Sequence, residues 1–336
     1  MALILFSDLV GQDRAKRLLR LAFARGRVSH AYLFQGPAGV GKKMGARAHA
    51  AFLLCRGASD RDDSCGQCPS CRKMASGNHP DFLVIEPDGV QVKIDQIRAL
   101  KKELSYPPVE GGYRVVVLAD VHLTMLRAEV ANSLLKTLEE PPPQTVFILT
   151  AVEAAGILPT IVSRCQVIPF SPLPFDLVAA ALADGALSPE RARALAAIAE
   201  GSIGRARELA GSDVLEVRKT IVEGLTGTLP DQPGAVERIF SLAELASVAK
   251  GELTELLELL ALWVKDLMVR SAGGPVNAVV SHDLLHLEDY AGRRWSFDQL
   301  KERLAMIRQA QKQLRHNCNR ALVCEVLFWQ FVQPKG

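Results

Sequence analysis

The sequence predicts an α/β domain on a mostly parallel sheet, followed by a chain that stays helical to its end. Three observations carry this. Between residues 12 and 150, short apolar runs alternate with segments of helical period. A glycine-rich loop, Gly36-Pro37-Ala38-Gly39-Val40-Gly41-Lys42-Lys43, stands between an apolar run and a helical segment. After Pro174 the composition shifts to Ala, Leu and Arg, with no convincing strand.

Taken in order, residues 12–24 read as a helix with Leu18, Leu19, Leu21 and Ala22 on its apolar face. Residues 31–35 form a short strand entering the glycine loop, and the helix after it runs to about Leu54. Residues 82–86 read as a buried strand, 94–104 as a helix and 114–119 as a central strand. A helix over 126–140 is stopped by Pro141-Pro142-Pro143, and 146–150 is another apolar strand. Such alternation implies a sheet covered on both faces.

Residues 176–210 suggest a small domain of roughly three helices. Residues 251–270 are apolar on more than one face, as a central bundle helix would be. Ser296 with Gln299 spells a capping box, with Trp295 and Leu300 placed as a staple. The helix they open carries Leu300, Leu304, Ile307 and Leu314 on one side, and 320–332 is the last helix. The expected domains are 1–172, 173–212 and 213–336.

The chain, at 336 residues, is long enough for two or three cores. A net charge of +3 is near neutral, so any basic surface has to be local. Residues 1–8 lack a basic leader and do not read as a signal peptide. The longest apolar stretch, 256–264, is interrupted by Glu258 and is too short for a bilayer. The expectation is a soluble, cytoplasmic protein with no membrane contact.

The glycine loop matches G-x-x-x-x-G-K-[ST] except at its last position. Gly36, Gly39 and Gly41 let backbone N–H groups wrap a phosphate, and Lys42 can reach the outer phosphates. Lys43 replaces the hydroxyl that would coordinate Mg2+, and its ammonium is expected near the vacated metal position. Residues 115–120 have the apolar run of a metal-binding strand, yet Ala119 stands where the ligating acid belongs, one place before Asp120. Two oxygen ligands are gone. The expectation is an ATPase fold without its own catalysis, which holds no Mg2+ and whose loop can lodge sulfate or phosphate while ATP binding is in doubt.

Cys55, Cys65, Cys68 and Cys71 are spaced C-x9-C-x2-C-x2-C, and four thiolates can close a tetrahedral shell. With no open position such a site is structural. Zinc is preferred; an iron–sulfur cluster also fits the spacing, but nothing else here suggests electron transfer. Cys165, Cys318 and Cys324 sit among apolar neighbours and read as core.

The segments 6–12 (FSDLVGQ), 29–36 (SHAYLFQG), 132–142 (NSLLKTLEEPP) and 163–165 (SRC) occur in this order around the four-cysteine insert. Together they resemble the clamp-loader subunits of bacterial DNA polymerase III, in the AAA+ class of P-loop proteins. The resemblance is weaker over the helical remainder, where 317–325 is similar to the family's last helix. It implies an α/β P-loop domain, an all-α lid and an all-α collar, and the altered metal ligands point to a non-hydrolysing subunit. Arg164 would then act as an arginine finger in the ATP site of a neighbouring motor subunit. Thr150 would hold a sensor-like position. Gly204 would occupy the place of a phosphate-sensing arginine, with Arg205 one residue late and rotated by about 100°. The implied partners are the motor and delta subunits and, through the complex, the sliding clamp and primer–template DNA. Arg98, Lys101 and Lys102 form a basic helical face that either follows DNA phosphates or is simply solvated. The alternative is an active motor ATPase using Asp120. A zinc hydrolase fares poorly, because four thiolates leave no catalytic position.

Overall fold

Five parallel strands, in the order β2-β3-β4-β1-β5, form the sheet of the first unit. They are β1 (Ala31–Gln35), β2 (Phe82–Ile85), β3 (Arg114–Leu118), β4 (Thr145–Ala151) and β5 (Gln166–Pro169). The computed structural model describes residues 3–57, 62–87, 92–121, 128–153, 157–183, 187–248, 253–284 and 295–333. It divides into one unit of Met1–Leu177 with Gly201–Gly204 and another of Val178–Glu200 with Arg205–Gly336.

β3 and β4 are buried along their whole length, as expected of strands with helices on both faces. One face packs Phe34, Val115, Val117 and Ile148 against α1 (Asp13–Ala24) and α2 (Lys42–Leu54). The other packs Leu33, Val116, Phe147 and Leu149 under α4 (Ile94–Leu104), α5 (Ala128–Glu139) and α6 (Pro159–Val162). The register sets the C-terminal ends of β1, β3 and β4 side by side, where parallel α/β sheets place their ligands.

Several expectations change. Residues 82–86 read as buried, yet every residue of β2 is only half-buried, because β2 is an edge strand. β5 is the opposite edge; its first two residues are exposed and only Ile168 is fully covered. α3 (Pro69–Ser76) lies within the cysteine segment, opened by Pro69 at its first turn and by the Cys68 side chain accepting from the Cys71 N–H. The expected start of the 126–140 helix lies outside the described residues, as do residues 58–61 of the cysteine insert. Of the cysteines read as core, Cys324 is buried, Cys165 is partly covered and Cys318 is exposed, since it sits in the turn before the last helix.

α7 (Phe175–Ala183) and α9 (Ile203–Ala210) cross from one unit to the other in sequence, and α8 (Pro189–Ile198) lies in the second. There, α10 (Val214–Gly227), α11 (Ala235–Val248), α12 (Leu253–Ser271), α13 (Phe297–Arg315) and α14 (Arg320–Val332) make a bundle. α12 packs on α13, and α11 packs on α14. α12 buries Leu256, Leu257, Leu260, Trp263, Val264 and Leu267, as its several apolar faces require. Trp263 meets Trp295 edge-on at 6.1 Å and stacks on Phe331 at 6.3 Å. The Ser296–Gln299 capping box is formed, with bonds of 3.3 and 3.0 Å. Among the described residues, no helix is long and apolar enough to cross a membrane.

Candidate functional site

The glycine loop joins β1 to α2. Gly41 caps α2 at φ 100°, a conformation that L side chains rarely adopt. Lys42 is not aimed outward. Its Nζ donates to the carbonyls of Gly36 at 2.7 Å and Pro37 at 2.6 Å, both in its own loop. Burial lowers its pKa.

Lys43 turns to the ends of β2 and β3. Its Nζ lies 2.8 Å from Asp120 Oδ2 and 3.7 Å from Glu86 Oε1. The hydrogen bond to Asp120 is the main reason its pKa is raised. Asp120 occupies a left-handed turn at φ 51°, and its N–H donates to Thr150 Oγ1 at 2.9 Å. Thr150, fully buried at the end of β4, thus fixes the turn that presents the carboxylate. Ala119 is buried, and its N–H donates to the Ile85 carbonyl at 3.0 Å. Glu86 was not singled out from the sequence. Pairing of Ile85 with Leu118 puts it beside Ala119, and that register was the missing signal.

Gly204 meets the loop through backbone alone. Its N–H donates to the Gly39 carbonyl at 3.0 Å, and a Cβ placed on it would lie 2.7 Å from Gly39 Cα. No side chain fits between the two. Arg205, in the second unit, is paired with Glu258 at 3.2 Å, Glu200 at 3.3 Å and Glu255 at 3.5 Å.

Arg164 follows α6 in the turn before β5. Its Nη2 lies 2.6 Å from Glu139 Oε1, and its Nη1 donates to the Thr160 carbonyl at 2.9 Å. The side chain is 35% exposed. On α4, Lys102 is exposed, Lys101 partly covered, and the exposed Arg98 pairs with Asp95 at 3.1 Å.

The structure brings all four clustered cysteines together, with their Sγ atoms within 4.8 Å of one another. Cys65 and Cys71 Sγ are 3.9 Å apart, near the ~3.8 Å separation that tetrahedral zinc–thiolate bonds impose. Backbone N–H groups point at the sulfurs: Gly57 and Cys65 toward Cys55, each at 3.3 Å, and Cys71 toward Cys68 at 3.4 Å. Such bonds favour thiolate, and the N–H groups of Gln67 and Cys68 pull the Cys65 thiol down to about 6. The donor set fits a structural zinc ion.

Behind the cluster runs a polar network that sequence reasoning missed. Ser70 Oγ donates to the Leu54 carbonyl at 2.6 Å and lies 2.9 Å from His79 Nε2. Asp81, fully buried, accepts the N–H groups of Val109 and Glu110, each at 2.8 Å, and pairs with Arg114 at 3.3 Å. Glu110 in turn pairs with Lys73 and with Arg56.

Residues 11–174 match the family described as DNA polymerase III, delta subunit. The DNA polymerase III subunit delta' of Bacillus subtilis is 37% identical over 202 residues, which is 60% of either chain. That of Pseudomonas aeruginosa is 38% identical over 216 residues, or 63% of this chain and 65% of the relative. The subunit tau of Bacillus subtilis is 39% identical over 162 residues, 48% of this chain and 28% of the relative. The match therefore spans less than two thirds of the length of each of these relatives.

Proposed function

We infer that this chain, a member of the DNA polymerase III clamp-loader family, is a delta'-type subunit that hydrolyses no ATP itself and assists a neighbouring motor subunit. One observation carries this reading: the Lys43 ammonium lies 2.8 Å from Asp120, and Lys43 holds the sequence position whose hydroxyl would ligate a divalent ion. A cation held by the remaining acid opposes metal binding directly, and without the metal the γ-phosphate loses its main charge stabiliser. The inward turn of Lys42 and the backbone contact between Gly204 and Gly39 support the same reading.

Arg164 is the group through which the chain would act. A guanidinium placed beside a γ-phosphate stabilises developing charge, and such fingers are worth about 10³–10⁵ in rate. Zn2+ held by Cys55, Cys65, Cys68 and Cys71 would tie down a polar insert with little core of its own. Residues 173–212 would form the lid and 213–336 the collar. On the collar, exposed Val236 and Phe240 of α11, with Leu322 and Val326 of α14, suit burial against the motor and delta subunits. The sliding clamp and primer–template DNA would be met through the assembled cytoplasmic complex, with Arg98, Lys101 and Lys102 following DNA phosphates.

The test is ATP turnover by the complex reconstituted with its motor subunit. Arg164→Ala should leave assembly intact and lower turnover by at least about 10³-fold. Wild-type turnover from that variant would remove the finger, and robust hydrolysis by the isolated chain would remove the whole reading.

A further inference from the structure

We propose that Glu139 is the positioning residue for Arg164, holding one side of the guanidinium so that the other faces outward. The proposal rests on the finger reading above and adds a residue to it. Arg164 is held by Glu139 Oε1 on Nη2 at 2.6 Å and, on Nη1, by the Thr160 carbonyl at 2.9 Å and Ser163 Oγ at 3.4 Å. The two shorter contacts come from different helices, α5 and α6, which pack on each other. Both helices are anchored from beneath: Leu134 and Leu138 of α5 and Ile161 of α6 are buried in the sheet's core. α5 ends at Glu139, and after Glu140 come three prolines, which restrict the chain just beyond the carboxylate.

A planar fork held through both of its Nη atoms has its plane fixed, and its remaining N–H groups are aimed by that plane. The pair is about half exposed, so it contributes little to stability in water. Its effect is on geometry. An arginine left free would sample many rotamers and would have to be ordered at each turnover. The Glu139 carboxylate removes most of that search before a neighbour's phosphate arrives.

The experiment measures clamp- and DNA-stimulated ATP turnover of the reconstituted complex with wild type, Glu139→Ala, Glu139→Gln, Arg164→Ala and the Glu139→Ala/Arg164→Ala double variant. Glu139→Ala should lower kcat about 10-fold with the KM for ATP changed less than about 2-fold, because the loss falls on the transition state. Glu139→Gln, which keeps an acceptor oxygen and the side-chain shape, should recover part of it. The double variant should be no slower than Arg164→Ala, since the carboxylate acts only through the guanidinium. Wild-type or raised turnover from Glu139→Ala, with Arg164→Ala still impaired, would overturn the positioning role and leave the finger standing. A double variant well below Arg164→Ala would also overturn it, by showing an effect independent of the guanidinium. Wild-type turnover from Arg164→Ala would remove the finger and this proposal together.

Discussion

Lys43 Nζ and Asp120 Oδ2, at the facing ends of α2 and β3, are joined at 2.8 Å, while Glu86 lies 3.7 Å from the same ammonium. On the proposed reading, a monovalent group of fixed position takes the place of a divalent ion that would come and go with nucleotide. Both side chains are about half exposed, which makes the pair worth at most about 1 kcal/mol.

Removing that ammonium should therefore alter binding more than stability. Lys43→Ser is expected to destabilise the chain by less than about 1 kcal/mol in urea unfolding. Combined with Ala119→Asp, it should create magnesium-dependent ATP binding, which calorimetry of the wild type is expected not to find. Equal magnesium dependence in both proteins would count against the Lys43 reading.

One zinc ion per chain is expected from metal analysis of the purified protein. Chelation at neutral pH should lower the melting temperature and remove amide protection around residues 62–77, because the segment has few buried apolar groups besides Met74. Cys71→Ser should do the same without chelator. A metal content near zero would reject the site.

Asp81 and Arg114, 0% and 3% exposed, should behave as a buried pair that cannot be halved. Asp81→Ala leaves Arg114 bonded to the carbonyls of Glu103, Tyr106 and Pro107 but without its counter-charge, and strands the N–H groups of Val109 and Glu110, an expected loss of about 3–5 kcal/mol by denaturant unfolding. Asp81→Asn keeps an acceptor and should lose less. Equal losses from the two variants would show that the lost charge, which both share, outweighs the cavity and the unpaired N–H groups, which only Asp81→Ala creates.

His49 lies on α2 with both ring nitrogens unpartnered and its ring edge-on to Tyr32 at 5.3 Å. Burial lowers its pKa from 6.5 to about 3, so the folded chain holds it neutral. The unfolded chain takes up a proton below about pH 6.5, and stability is lost progressively from there down to the folded value near 3. At pH 5 this one group should account for a loss of roughly 2 kcal/mol, from 1.36 kcal/mol per pH unit. In urea unfolding at pH 7.5 and pH 5, His49→Leu should therefore lose about 2 kcal/mol less between the two conditions than wild type. Parallel behaviour would mean that His49 is protonated in the folded state.

Where local pattern decides structure, the chain was readable. Ala31–Gln35, Ile94–Leu104 and Arg320–Val332 have the bounds that apolar periodicity gives them, and the glycine loop and cysteine spacing are local signals. What escaped depends on partners distant in sequence. β2 is apolar enough for a core strand and becomes half-buried because, among the described residues, no strand pairs outside it. α3 is too polar to announce itself and is set by its cap and by the cysteine cluster. Glu86 reaches Lys43 through the β2–β3 register, and Glu139 reaches Arg164 through the packing of α5 on α6; neither neighbourhood is written in the residues themselves.

The contact between Gly204 and Gly39 closes position 204 to any side chain. A mutation to arginine there would first push two backbones apart, and the new side chain would find neither an acid at 119 nor a hydroxyl at 43. Each of these three changes brings no gain until the others are present, so single substitutions cannot assemble a complete phosphate and metal site in this chain one step at a time.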